Sequence, residues 1–322
     1  MMKSSRVLIR TGPAIAEHHL KQIGKLAKEV IYWPRKQLEP PFPFALEEID
    51  VLFGNDRYDD RFIEQAKGLK WIHSYTVGVE MLLTETVRRS PVILTNSRGC
   101  LSVPIAEYVI GALLNWSRGF RQFWNQQQTK QWKRVPCTEI YGQTIGIVGY
   151  GSIGREIAVR AKALGMYVIG CRNRMAGSQD EPIDRMIPAS QMGEILGESD
   201  FVVNCLPSTP DNYGLFNESA FSSMKETAVF INIGRGETVN EKDLQTALEE
   251  RRISGAFLDV FTQEPLPLEH PFWNIDNLTI SPHNSFVSAK YPDRIIALFC
   301  ENLSRYMAGK PLLNVVDKDR GY

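Results

Sequence analysis

A chain of 322 residues, 43% hydrophobic and 23% charged, has the composition of a soluble globular protein with room for two domains. Its 37 basic and 37 acidic side chains cancel, which excludes a global pull toward nucleic acid or anionic membrane and leaves a local basic pocket open. The five cysteines are far apart and form no CxxC pair, so no zinc or redox motif is expected, no metal is called for, and a reducing compartment fits.

From the N-terminus, "RVLIR" reads as a strand with no apolar signal segment before it. "AIAEHHLKQIGKLAKEV" carries apolar residues at helical spacing. "IDVLFG" is a strand, "DRFIEQAK" a short helix, and "KWIHSY" and "PVILTN" are strands. The proline-rich "WPRKQLEPPFPF" reads as an extended surface loop. A longer helix is expected from about Ser102 to Trp124. Its apolar part, "PIAEYVIGALLNW", contains Glu107 and is too short to span a bilayer, so no membrane partner and a cytoplasmic location are expected. The polar "NQQQTKQWKRVPC" reads as a solvated helix end and loop.

A second alternating series follows: strand "QTIGIVG", helix "SIGREIAVRAKALG", strand "MYVIGC", then apolar runs "FVVNCLP", "TAVFINI", "ISGAFLDV" and "NLTISPH", and a last helix from about Ala289 to Met307. Two halves with one strand–helix rhythm, dividing near residue 100, imply α/β architecture with parallel sheets.

Gly149, Gly151 and Gly154 form G-x-G-x-x-G between a strand and an amphipathic helix, the context a dinucleotide turn needs. Gly149 would permit the tight turn, Gly151 the close approach of a pyrophosphate, and Gly154 close helix packing. Free N–H groups near Ser152 and Ile153 would face the anion. The next strand ends in "VIGCRNR". A carboxylate there would hold the ribose of NAD. Arg172, with Asn173 and Arg174, instead suits the 2′-phosphate of NADP. The next acid, Asp180, follows a Gly-Ser turn and reads as too distant, so NADP is expected, with NAD still possible.

Arg235, Glu264 and His283 each fall just after a strand, on the edge where a parallel sheet binds ligands. Taken singly, they read better as a turn residue, a solvated loop acid and a capping or packed histidine. Together they suit hydride chemistry on a 2-keto acid. His283 would supply the proton, Glu264 would hold its other ring nitrogen, and Arg235 would bind the carboxylate and keto oxygen. The other histidines, His18, His19, His73 and His270, read as surface or core residues.

The segments "YGQTIGIVGYGSIG", "CLPSTPDNYGLF", "FINIGRGETVNEKDL", "GAFLDVFTQEPLP" and "NLTISPHNS" together resemble the D-isomer-specific 2-hydroxyacid dehydrogenase family over nearly the whole chain. The resemblance implies two Rossmann-like or flavodoxin-like domains with the active site in the cleft. The nucleotide domain (102–287) would be inserted in a substrate domain (1–101 and 288–322). It implies Arg235 as substrate arginine, His283 as general acid/base and Glu264 as its partner. Asp259 would lie near the nicotinamide, with Cys205, Leu206, Pro207 and Ile233 also lining the cofactor. Backbone amides at Val77 and Gly78 would hold the substrate carboxylate. A homodimer formed through "PIAEYVIGALLNW" is implied as well. "CRNR" departs from the acid of NAD-dependent members, and polar Asn284 stands where a small or apolar residue is common. The expected activity is NADPH-dependent reduction of glyoxylate, hydroxypyruvate or pyruvate. Oxidation of another small anion such as phosphite, or a dinucleotide-sensing corepressor-like role, stays open on the same scaffold.

Overall fold

The structure, a computed structural model, describes residues 5–11, 14–33, 42–54, 60–173, 175 and 181–321. The chain forms two compact units, Met1–Leu101 with Ser288–Tyr322, and Ser102–Val287. The second unit is therefore an insertion within the sequence of the first.

The first unit runs through β1 (Arg6–Arg10), α1 (Glu17–Gly24), β2 (Glu29–Tyr32), β3 (Val51–Gly54), α2 (Asp60–Gln65), β4 (Trp71–Ser74), α3 (Glu85–Arg89) and β5 (Ile93–Thr95). The second holds α4 (Ser102–Ser117), α5 (Phe120–Gln128), β6 (Thr144–Val148), α6 (Ser152–Ala163), β7 (Tyr167–Arg172) and β8 (Arg185–Pro188). It continues through α7 (Met192–Glu198), β9 (Phe201–Asn204), α8 (Glu218–Ser222), β10 (Val229–Asn232), α9 (Glu241–Glu249), β11 (Gly255–Leu258) and β12 (Leu278–Ile280). The chain then returns to the first unit in α10 (Tyr291–Met307).

In the first unit the sheet order is β2-β1-β3-β4-β5, with every pairing parallel. Alternation along the strands sends Leu8, Leu52 and Ile72 to one face and Val7, Ile9, Val51 and Phe53 to the other. Each face has its own apolar core, as a parallel sheet requires. Phe299 of α10 closes the second face, stacking on Phe53 with ring centroids 4.3 Å apart.

In the second unit all seven strands are parallel, in the order β12-β11-β10-β9-β6-β7-β8. The chain builds outward from β6 to β8, then crosses back to β9 on the other side of β6. That reversal between β6 and β9 creates the crevice where such sheets take ligands.

Several expected elements differ. The helix expected over "AIAEHHLKQIGKLAKEV" ends at Gly24, and Glu29–Tyr32 pairs with β1 instead. Two β-branched residues, Val30 and Ile31, gain more there from packing than from helical continuation. The helix expected to reach Trp124 stops at Ser117, and α5 starts afresh after Gly119, whose φ of +67° is left-handed. Strand β8 was not expected, because a four-residue edge strand ending in proline has little pattern to show. Most of the proline-rich stretch, residues 34–41, lies outside the described residues. No helix among the described residues is long and apolar enough to cross a membrane.

Candidate active site

The turn from β6 to α6 is shaped by close backbone approach. Cys171 O accepts from both Gly149 N (3.0 Å) and Tyr150 N (2.8 Å). Gly149 has a φ of +87°, and a Cβ there would lie 2.9 Å from the backbone of Cys205 and Leu206. Glycine is thus required on conformation and on space. A Cβ at Gly151 would meet nothing closer than 3.9 Å, so its missing side chain leaves open space before the helix. Helix α6 has no side-chain N-cap. Its first-turn N–H groups, at Ser152 and Ile153, are available to an anion, so these residues fit a dinucleotide pyrophosphate.

The adjoining "CLP" turn packs against this loop. Cys205 N donates to Val148 O (2.8 Å), Leu206 N to Asn204 Oδ1 (3.0 Å), and Pro207 O accepts from Asn212 Nδ2 (3.1 Å). Burial pushes the Cys205 thiol up to about 12, so it is an inert neutral wall group. Ile233, nearly buried, donates its N–H to Asn204 O (3.2 Å).

Arg172 is the last residue of β7, with Asn173 just beyond it, and Arg174 lies outside the described residues. The expectation of a site without an acid is corrected here. Asp180 is also outside the described residues, but Glu181 returns to Arg172, its Oε1 3.7 Å from Nη1. A contact between residues nine positions apart is invisible to a reading that stops at the strand end.

Arg235 sits three residues beyond β10 on a loop fixed by buried amides. Asn204 Nδ2 donates to Asn232 Oδ1 (3.0 Å) and Thr238 Oγ1 (2.7 Å). Asn232 Nδ2 and Thr238 Oγ1 donate to Arg235 O, at 3.2 and 2.6 Å. The flanking glycines are there for space, since a Cβ at Gly234 would lie 2.6 Å from Leu206 O and one at Gly236 only 1.9 Å from the Phe261 carbonyl carbon. Sequence reading found Arg235 and missed this supporting lattice, whose members are separated by strands.

His283 follows β12, and Glu264 follows β11. Their side chains meet, with His283 Nδ1 2.8 Å from Glu264 Oε2. The other oxygen, Oε1, accepts from Phe261 N (3.0 Å), so the carboxylate is fixed before it reaches the imidazole. With Nδ1–H donated to Glu264, the neutral ring keeps Nε2 as a base, and the protonated ring carries a transferable proton there. Phe286 packs edge-on against the ring at 5.8 Å.

His283 has a φ of +51°, a left-handed conformation that L side chains adopt at some cost. Asp259 holds it. Fully buried, its carboxylate accepts from the Ser281 hydroxyl, from Asn284 N (2.7 Å) and from Ser285 N (3.0 Å), while Asp259 O accepts from His283 N (2.9 Å). Ser281 in turn lies 2.8 Å from Tyr108 Oη, whose phenol burial pushes up to about 12, keeping it a donor. The geometry makes Asp259 a positioning residue for the His283 turn.

On the first unit, Val77 and Gly78 lie in the loop after β4. Asn96 Nδ2 donates to Val77 O (2.9 Å) and Thr76 Oγ1 to Gly78 O (2.7 Å). Their carbonyls are tied, while their N–H groups donate to no described residue. In β4 before them His73, fully buried, is held near 3 by desolvation and is therefore neutral, its Nδ1 hydrogen-bonded with Thr95 Oγ1 at 2.7 Å.

Comparison with known proteins gives one consistent family. The profile described as D-isomer specific 2-hydroxyacid dehydrogenase, NAD binding domain, matches residues 110–285. The chain is 32% identical to glyoxylate reductase of Pyrococcus furiosus over 306 residues, covering 90% of each chain. It is 31% identical to the glyoxylate reductase/hydroxypyruvate reductase of Mus musculus, covering 97% of this chain and 98% of that one. A solved NADPH-dependent glyoxylate/hydroxypyruvate reductase from Sinorhizobium meliloti, in complex with NADP and sulfate, superposes with a TM-score of 0.84. It is 28% identical, with 99% of this chain and 100% of that chain covered. A nicotinamide dinucleotide is accordingly the cofactor class that the glycine turn serves. The chain belongs to the D-isomer specific 2-hydroxyacid dehydrogenase family.

Proposed function

We propose that the protein is an NADP-dependent reductase of a small 2-keto acid of the glyoxylate, hydroxypyruvate or pyruvate type, producing the D-2-hydroxy acid. The observation that carries this reading is the His283–Glu264 hydrogen bond on the sheet edge that also bears Arg235. When bound, the nicotinamide supplies the hydride. The Arg235 guanidinium binds the substrate carboxylate and draws charge toward the keto oxygen. His283 Nε2 gives its proton to that oxygen as negative charge builds, and Glu264 holds the ring through Nδ1. Amides of Val77 and Gly78 are the proposed ligands of the substrate carboxylate on the first unit. A fixed acid–base pair of this kind favours catalysis over a purely sensing role, and the names of the relatives favour a keto acid over phosphite.

The test is loss of NADPH absorbance with a panel of small 2-keto acids. Turnover of at least one supports the reading, and turnover of none overturns it. For the cofactor, Arg172→Asp is expected to lower the NADPH-to-NADH ratio of kcat/KM by roughly 10- to 100-fold, the range of one charge-assisted hydrogen bond. An unchanged ratio would remove Arg172 from phosphate recognition.

We further propose a homodimer formed through residues 104–116 of α4 and extended by α5, which exposes Phe120, Phe123 and Trp124. Trp124→Glu is expected to shift the sedimentation coefficient from dimer to monomer. All five cysteines are free, which supports a reducing, cytoplasmic setting.

A further inference from the structure

We propose that Glu181 selects between cofactors: it is a carboxylate that faces the same guanidinium the 2′-phosphate of NADP uses, weakening NADPH binding and retaining NADH as a usable partner. This rests on the reading of Arg172 given above.

Glu181 lies at the centre of a charged cluster. Its Oε1 is 3.7 Å from Arg172 Nη1, and its Oε2 is 3.6 Å from Arg155 Nε and accepts from Tyr150 Oη at 3.1 Å. The carboxylate is only 17% exposed and Arg172 only 20%, so solvent screens the pair little. Among the described residues, two cations and one anion leave the cluster with one net positive charge.

The carboxylate does not saturate its partner. At 3.7 Å the Arg172 contact is an ion pair without a formed hydrogen bond. Arg172 Nε is buried and has no hydrogen-bond partner among the described residues. A buried donor without an acceptor is costly, and it points to a group that completes the site.

The position of Glu181 is built into the glycine turn. The Tyr150 ring is buried in a slot that depends on Gly154 and Gly170, where a Cβ would lie 3.2 and 3.0 Å from its Cδ2. The ring thus stands as a pillar whose hydroxyl holds Glu181. Burial, and then the neighbouring carboxylate, raise the Tyr150 phenol, which keeps it protonated and donating.

A 2′-phosphate brings about −1.5 to −2 charges. It gains from Arg172 and Arg155, and loses to Glu181, which must share or yield the guanidinium. Bare ribose hydroxyls meet no such repulsion and can donate to a carboxylate. Glu181 therefore performs, from a position nine residues further along the chain, the task of the acid absent from the end of β7.

The experiment is calorimetric titration with adenosine 2′,5′-bisphosphate and with AMP, which reads binding without turnover. Glu181→Gln keeps the shape of the side chain and an acceptor for Tyr150. It is expected to tighten bisphosphate binding roughly 5- to 20-fold while AMP changes by less than about twofold. Glu181→Asp, which keeps the charge, is expected to stay near the parent protein. If Arg172→Gln weakens the bisphosphate but Glu181→Gln does not tighten it, the present proposal fails and the NADP reading stands. If the parent protein does not prefer the bisphosphate over AMP and Arg172→Gln alters neither, both fail together.

Discussion

Replacing His283 with alanine is expected to lower kcat by about a thousandfold, the range of a lost general acid, while NADPH binding measured by fluorescence titration stays within about threefold. In the proposed mechanism the imidazole acts on the substrate oxygen, and the glycine turn seats the dinucleotide. The His283 ring points to Glu264, and the turn carrying it is held through its backbone by Asp259. Single-turnover kinetics with NADPH at saturation make the measurement, and a kcat within fivefold of the parent would remove His283 from the chemistry. Glu264→Gln offers a subtler companion. If the amide oxygen keeps the bond from Phe261 N, the amide nitrogen then faces Nδ1 and imposes the opposite tautomer. Nε2 would then carry the proton in the neutral ring and lose its role as base, so oxidation of the hydroxy acid should suffer more than reduction.

Gly236→Ala is expected to be the most damaging single methyl in the second unit. Its Cβ would lie 1.9 Å from the Phe261 carbonyl carbon and 2.3 Å from Thr262 N, both backbone atoms that cannot rotate away. Overpacking of this kind costs about 1–3 kcal/mol or more. Phe261 is also the residue whose N–H anchors Glu264. The strain therefore passes into the His283–Glu264 pair, and activity should fall at least tenfold even in the fraction that folds. Thermal unfolding with an assay of the folded fraction tests both parts. An unchanged melting temperature would show that the two loops separate freely.

The parts of the molecule readable from the sequence are those in which chemistry is written locally. The glycine turn announces itself because three conformational demands fall within six residues, and Arg235, Glu264 and His283 because each follows an apolar strand in one repeating rhythm. What escaped depends on contacts between distant segments. The Asn204–Asn232–Thr238 lattice joins residues from two neighbouring strands and the loop after the second. Glu181 meets Arg172 in space, nine positions further along the chain. Local pattern also misled where tertiary pairing outweighed propensity, as in Glu29–Tyr32, which the preceding helical spacing disguised until β1 claimed it. The break at Gly119 was a matter of one backbone angle, in a stretch whose apolar periodicity runs on without interruption.

The left-handed backbone at His283 has a consequence for anyone wishing to make this protein more robust. Among the described residues, four other than glycine have a clearly positive φ: Lys130, Arg251, His283 and Asn314. Substituting glycine at such a position relieves steric tension in the folded chain, though it also loosens the unfolded one. Lys130 and Arg251 are open to that engineering route, whereas Asn314 would lose its amide's bonds to Asn96 O and Arg98 O. His283 is closed, because relaxing it would delete the imidazole, so heat tolerance gained around this turn has to come from its supports, Asp259, Ser281 and Tyr108.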